Sequence, residues 1–239
     1  MAINKDSNAY TFGFAAVLVI LVGAILSFTA VSLKPKQVEN QNQEKMKNIL
    51  MSVGAMEASS DMKEAPELFK KFVKEEVVLD SKGQIVEGLK AFDVDVQKEF
   101  KSKPFEERNY PLFICEKDGS TFYVIPLVGN GLWGPIWGYI ALDSDMNTVY
   151  GANFDHKGET PGLGAEITQP AFQSQFPGEE IFDENGEYVS VDVVKGGGGD
   201  ASKHAVDGIT GGTITSKGVG EMIDRTLGVY VPYFKSKKA

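Results

Sequence analysis

At 239 residues, 42% of them apolar, the chain is long enough to bury a domain-sized core. Its net charge of −9 excludes the basic face that nucleic-acid binding needs. A single cysteine, Cys115, excludes an intrachain disulfide and a cysteine metal cluster, and two histidines, His156 and His204, in no metal-binding spacing give no reason to expect a metal.

From Ser7 to Leu33 there is no charged residue. The run FGFAAVLVILVGAILSFTAVSL supplies the roughly 20 apolar residues that a membrane-spanning helix needs. A cleaved secretory signal competes with this reading. Its apolar region is about 7–15 residues, shorter than this one, although Ala30-Val31-Ser32 offers a weak cleavage triplet. The expectation is an uncleaved anchor over residues 1–33. Lys5 precedes the span, and Lys34, Lys36, Lys45 and Lys47 follow it. The positive-inside rule therefore leans towards a soluble part kept inside.

Residues 34–77 read as a helical stalk packed on the domain or, more plainly, as part of the domain's core edge. Ile49, Leu50, Val53 and Met56 recur at helical spacing, and APELFKKFVKEEV repeats the pattern with Leu68, Phe69 and Phe72. From residue 78 the pattern changes. VVLDSKGQIVEG reads as a hairpin around Ser-Lys-Gly, YPLFICEKDGSTFYVIPLVG as a second turning at Lys117–Ser120, and WGYIALDSDMNTVYGANFDH as a third turning at Asp143–Asn147. EEIFDENGEYVSVDVVKGG is strand-like and runs into four glycines, 196–199. From Ser216 onward, Val219, Met222, Ile223, Leu227 and Tyr230 share one helical face, with Pro232 as the expected stop. The fold class expected is α+β: an N-terminal transmembrane helix (1–33), a helical stalk (34–77) and an antiparallel-rich domain (78–239).

Three glycine-rich stretches can carry chemistry. Gly129–Gly134 matches G-x-G-x-x-G, but a dinucleotide fingerprint must open a helix, and here Pro135 and a strand-like run follow. The plainer reading is a loop between strands, in which Trp133 and Trp137 can wall a flat ligand. HKGETPGLGAE, residues 156–166, is either a surface turn or a loop whose glycines let main-chain N–H groups approach a ligand. In AVDGITGGTITSKGVGE, residues 205–221, the P-loop pattern fails because Ser216 precedes Lys217. Thr215 or Ser216 can cap the helix that follows. The helix start then favours an anion, with the hydroxyls of Thr210, Thr213 and Thr215 as donors to phosphate oxygens. Simple capping and turn chemistry explains the same residues.

DGITGGTITSKGV resembles the flavinylation motif D-G-x-[ST]-G-A-T-x-T-S of the FMN-binding domain family, and HKGETPGLG resembles that family's second hallmark loop. GNGLWGPIWGYIALDSDMNTVYG and VVKGG are similar to the branch of the family found in sodium-translocating NADH:quinone reductases. The resemblance covers most of the chain. It implies an antiparallel-rich FMN-binding domain with FMN joined by a phosphoester to Thr213, and Thr210 at the first position of the core. Gly212 stands where the family usually has Ala, and Ile214 where Leu is common; Asp207 and Gly208 are intact. The family's flavin surroundings map onto Gly211, Gly212, Ile214 and Thr215, onto Leu132 and Trp133, onto Glu159, Thr160, Leu163 and Gly164, and onto Lys195. An external flavin transferase that uses FAD is the implied maturation partner. No catalytic residue and no metal are implied in this chain.

The resemblance further implies a single-pass protein of the bacterial inner membrane with its flavin domain in the periplasm, opposite to the lean of the lysines. It implies an electron-carrier role beside other subunits of a membrane NADH:quinone reductase complex, passing electrons from NADH-linked subunits towards quinone, coupled to sodium export. Two alternatives stand beside it: the corresponding subunit of a ferredoxin-linked Rnf-type ion-translocating complex, and an unmodified membrane-anchored binding or assembly module.

Overall fold

The computed structural model describes residues 7–199 and 203–238. Lys5, used in the orientation argument, lies outside them. The chain forms two compact units, Met1–Glu44 and Lys45–Ala239.

Helix α1 (Asn8–Ser52) begins at Ser7, whose Oγ accepts the Tyr10 N–H at 3.2 Å. Its apolar part is long and apolar enough to cross a membrane. Pro35 does not interrupt it. The anchor and the first part of the expected stalk are thus one helix, with no pause at residue 33.

The second unit is built on a five-stranded antiparallel sheet in the order β1-β2-β3-β4-β5: β1 (Val73–Leu79), β2 (Tyr110–Lys117), β3 (Ser120–Asn130), β4 (Pro135–Leu142) and β5 (Val149–His156). The β2–β3 and β4–β5 hairpins turn where their Asp, Gly and Asn residues place them. The first expected hairpin is reduced to the Asp80–Gly83 turn and one bridge, Leu79 to Ile85, because β1 pairs instead with β2. The stalk reading also fails at Val73–Val77. These residues continue a helical pattern on paper but form strand β1, since helix α2 (Ala65–Phe72) ends at Phe72. Backbone pairing with β2 and burial of Val77 and Val78 override local propensity.

Each strand carries apolar residues on both sides. In β4, Ile136, Ile140 and Leu142 belong to one core cluster, Tyr139 and Ala141 to another. Continuous runs such as YIAL follow from a sheet covered on both faces. One face receives Ile49, Leu50, Val53 and Met56 with Phe69 of α2, so the residues at helical spacing past Lys45 are core. Lysines fasten this face: Lys45 donates to the carbonyls of Phe92 and Val94 (2.6 and 2.9 Å), Lys47 to those of Ala58 and Ser60, and Lys117 to those of Val53 and Gly54. Burial pulls the Lys45 pKa down, against the opposing charges of Asp95, Asp93 and Glu76.

The other face is covered by helix α5 (Thr213–Lys238) through Val219, Met222, Ile223, Leu227 and Tyr230. The helix starts at Thr213, three residues before the expected Ser216, and runs past Pro232. Losing one helical hydrogen bond at Pro232 costs about 3 kcal/mol. Burying Tyr233 and Phe234 offsets it at about 1.5–3 kcal/mol each, and the Phe234 ring meets Tyr123 and Tyr230. Near its start α5 lies directly on the end of β3. A Cβ at Gly218 would overlap the Asn130 carbonyl oxygen, so only glycine permits the approach. A short parallel pair, β6 (Asp192–Val194) and β7 (Ala205–Asp207), leads into that start. Between β1 and β2 lies α3 (Val96–Ser102), and α4 (Pro170–Gln173) follows β5.

Candidate functional site

Three loops meet at the beginning of α5: the β3–β4 tip at 131–134, the segment after β5 at 157–163, and the turn at 208–212. The tip is a tight reversal, with Gly131 N–H donating to the Gly134 carbonyl at 2.8 Å. It is a loop between strands, as the sequence suggests, but Trp137 is not in it; that residue lies within β4, opposite Val128 and Asp155.

Glu159 ties the first two of these loops to the first turn of α5. Its side chain is buried, 6% exposed. Oε1 accepts the Trp133 N–H at 2.8 Å, and Oε2 accepts the Thr215 hydroxyl at 2.7 Å. The Glu159 N–H donates to His156 Nδ1 at 3.1 Å. Thr215 Oγ1 in turn accepts the Leu132 N–H at 3.5 Å. A buried carboxylate is tolerable when its lone pairs are met by donors, and here one hydroxyl and one main-chain N–H meet them beside the positive end of a long helix. Gly164 completes the arrangement: a Cβ there would collide with Glu159 Oε2 and Thr215 Oγ1.

The four hydroxyls of the stretch divide into two classes. Thr215 and Ser216 are buried and used internally; Ser216 Oγ accepts the Ile209 N–H at 2.9 Å. Neither caps the helix, because both lie inside its first turn with their oxygens turned to other loops. Thr210 is exposed and Thr213 half-buried, and neither hydroxyl has a hydrogen-bond partner among the described residues. The N–H groups of Thr213, Ile214 and Thr215 likewise point out of the helix start without an acceptor among the described residues.

The remaining residues assigned from sequence fall around this point. Leu132, Trp133, Leu163 and Ile214 are 50%, 69%, 42% and 57% exposed, an apolar rim above a closed polar floor. Gly211 has a φ of 78°, and a Cβ there would overlap the Leu163 side chain. A Cβ on Gly212 would sit 3.1–3.2 Å from Ile209 and Leu163 atoms, so an alanine fits there only if its neighbours give slightly. The exposed Thr160 turns the loop, its carbonyl accepting the N–H groups of Leu163 and Ala165. The exposed Lys195 follows Val194, whose carbonyl accepts the Gly208 N–H at 2.7 Å. Asp207 holds the glycine loop, Oδ1 accepting the Gly199 N–H at 3.0 Å, and Gln175 brackets its main chain. Sequence reasoning missed Ser216 and Gln175 as internal fasteners. A hydroxyl beside a glycine turn was the available signal for the first; the partner of the second is too distant in sequence to read.

A free hydroxyl and open N–H groups at a helix start, rimmed by exposed apolar side chains, fit a flat ring system that ends in a phosphate. Comparison with known proteins agrees. Residues 131–228 match the family model described as FMN-binding domain. The chain is 34% identical over 248 residues to the NqrC subunit of the Na(+)-translocating NADH-quinone reductase of Vibrio parahaemolyticus, covering 95% of this chain and 94% of that protein. It is 34% identical to the protein of the same name from Haemophilus ducreyi, covering 99% and 96%. The crystal structure of the corresponding Na(+)-translocating NADH-quinone reductase subunit from Parabacteroides distasonis superposes with a TM-score of 0.76 at 44% identity, covering 84% of this chain and 96% of that one. That of Shewanella oneidensis NqrC superposes with a TM-score of 0.67 at 25% identity, covering 82% and 99%.

Proposed function

The chain belongs to the NqrC family of Na(+)-translocating NADH-quinone reductase subunits, and from that premise we propose that it is the subunit that carries electrons on an FMN attached to Thr213. Bound FMN supplies the redox chemistry; the chain supplies position, electrostatics and retention. The observation that carries the attachment site is the division of the hydroxyls. Thr215 and Ser216 are spent on the fold, whereas Thr213 stands at the helix start with its oxygen unspent.

An unaided threonine hydroxyl is a weak nucleophile, and among the described residues no side chain hydrogen-bonds to that of Thr213. This supports attachment by an external flavin transferase. In such a transfer Thr213 would supply the acceptor oxygen, giving up its proton, the FMN phosphoryl group of FAD would pass to it, and AMP would be the leaving group. The first-turn N–H groups of α5 would hold the phosphate. Leu132, Trp133, Leu163 and Ile214 would cover the ring system and exclude water from one side. Lys195 would add positive charge near the flavin. The apolar part of α1 would anchor the chain in the bacterial inner membrane, with the second unit in the periplasm, where the transferase acts. Neighbouring subunits would deliver electrons from NADH and take them on towards quinone. Relatives alike over nearly their whole length favour this complex over a ferredoxin-linked one.

The test uses the full chain purified from its native membranes beside a Thr213→Ala variant. Expected are flavin fluorescence that survives a denaturing gel and an intact mass raised by FMN less one water, both lost in the variant. Native protein without flavin would refute the carrier role, and flavin retained by Thr213→Ala would move the attachment elsewhere.

A further inference from the structure

The sequence has 22 lysines and only two arginines, Arg108 and Arg225. Both meet one aromatic ring. The guanidinium carbons lie 4.9 and 4.7 Å from the centroid of Phe100, on α3, so the two charges are within 10 Å of one another. Arg108 donates Nε to the Lys103 carbonyl (3.0 Å) and Nη2 to the Phe100 carbonyl (3.1 Å), and Arg225 donates Nη2 to the Val128 carbonyl. Arg108 also bonds the Tyr110 side chain, which leaves two of its five donors unspent, whereas Arg225 keeps four unspent among the described residues. Neither has a carboxylate within ion-pair distance among the described residues. Burial, then the charge of Arg108, pulls the Arg225 pKa down, against the more distant negative charges of Glu221 and Asp224, which do not pair with it directly.

A cavity of about 30 Å³ opens between these groups; Glu99, Tyr110 and Thr226 also line it, and most of its wall is apolar, with Pro111, Pro126 and Val96. Glu99 does not neutralise them. Its Oε1 pairs with Lys103 at 2.8 Å, and its Oε2 accepts the Asn109 N–H at 2.9 Å. By the measure that gives one water about 10–15 Å³, the cavity seats two oxygen-sized atoms. Two like charges partly withdrawn from water call for a counter-charge. In a chain that uses lysine everywhere else, the planar fork of arginine points to a planar, two-oxygen anion.

We propose that the cavity between Arg108, Phe100 and Arg225 is a receptor for one carboxylate group, either a small free carboxylate or an Asp or Glu side chain of a neighbouring subunit.

The two arginines make the test direct. Full-length chain labelled with 15N-arginine, in detergent micelles, is titrated with sodium acetate against sodium chloride at equal ionic strength. Both Nε–H resonances should move along one saturable curve with acetate and not with chloride. Arg225→Lys, which keeps the charge and loses the fork, should raise the half-saturating acetate for the Arg108 resonance about tenfold. Thermal unfolding gives an independent reading, with Tm raised by acetate over chloride in the native chain and less so in Arg225→Lys. The source is separated in the assembled membrane complex, an arm that rests on the function proposed above. Loss of the Arg108→Lys/Arg225→Lys chain on washing assigns the carboxylate to a partner subunit, and full retention together with an acetate response assigns it to a free ligand. Linear shifts equal for acetate and chloride, with no difference in Tm, would leave two hydrated arginines and overturn the proposal, whatever the flavin content.

Discussion

The two faces of the five-stranded sheet are both covered by helix, yet they are finished differently. On the face under α2 and the end of α1, polar groups are closed off: Lys45, Lys47 and Lys117 each donate to two carbonyls, and Cys115 lies buried among apolar residues. On the face under α5 the helix buries one side from Thr215 to Phe234, but the helix start is left open at Thr213 among the described residues. The difference is what supports the proposed site, where one element is anchored along its length and the groups at its start are unspent among the described residues.

Four experiments break or sharpen this contrast. The largest effect is alkaline and belongs to the closed face. Burial pushes the Cys115 thiol up to about 12 from an ordinary 9.0. The folded state therefore keeps a proton that the unfolded chain releases first, and stability falls as pH rises from about 9 to 12. Three units at about 1.4 kcal/mol each set an upper limit of about 4 kcal/mol. Denaturant titrations should show Cys115→Ala less stable than the native chain at pH 7, with the gap closing across that window; a constant gap would mean that the thiol is not desolvated. Next is Glu159→Ala, which orphans the Thr215 hydroxyl and the Trp133 N–H. A loss of about 3 kcal/mol is expected, with lower flavin content, and Glu159→Gln should recover part of both.

Lys45→Met ranks third. It leaves the Phe92 and Val94 carbonyls without their donor and should cost about 2 kcal/mol in thermal unfolding while flavin content stays native. An equal loss of flavin would show that the two faces are not separable. The smallest effect is that of Thr213→Ala on stability, within about 0.5 kcal/mol, because its hydroxyl has no hydrogen-bond partner among the described residues. The same change should abolish covalent flavin. A large destabilisation would place Thr213 with Thr215 among the structural hydroxyls.

Much of this was legible in the sequence, and the failures have common causes. The β2–β3 and β4–β5 hairpins announce themselves through turn residues whose backbone needs are local; Asp118 and Gly119 both adopt positive φ. Strand β1 is hidden because VKEEV is made of residues that extend a helix as readily as a strand, and pairing with β2 decides. Pro232 misleads because the worth of Tyr233 and Phe234 depends on a sheet that the local pattern does not show. In the site, the motif singles out Thr213, but the roles of Thr215 and Glu159 depend on a bond across 56 positions. The two arginines carried a signal in composition alone, their scarcity beside the lysines, with no pattern to say that they meet.

The position of α5 has a consequence for biosynthesis. This helix follows every strand among the described residues, and it supplies both the proposed acceptor threonine and a large share of one core cluster. Until it has left the ribosome and docked, Glu159 has no Thr215 to accept from, and Thr213 has no fixed surroundings. On the function proposed above, flavin loading would therefore be an event of the finished fold, and a maturation enzyme that required the docked helix would pass only completed, correctly folded copies.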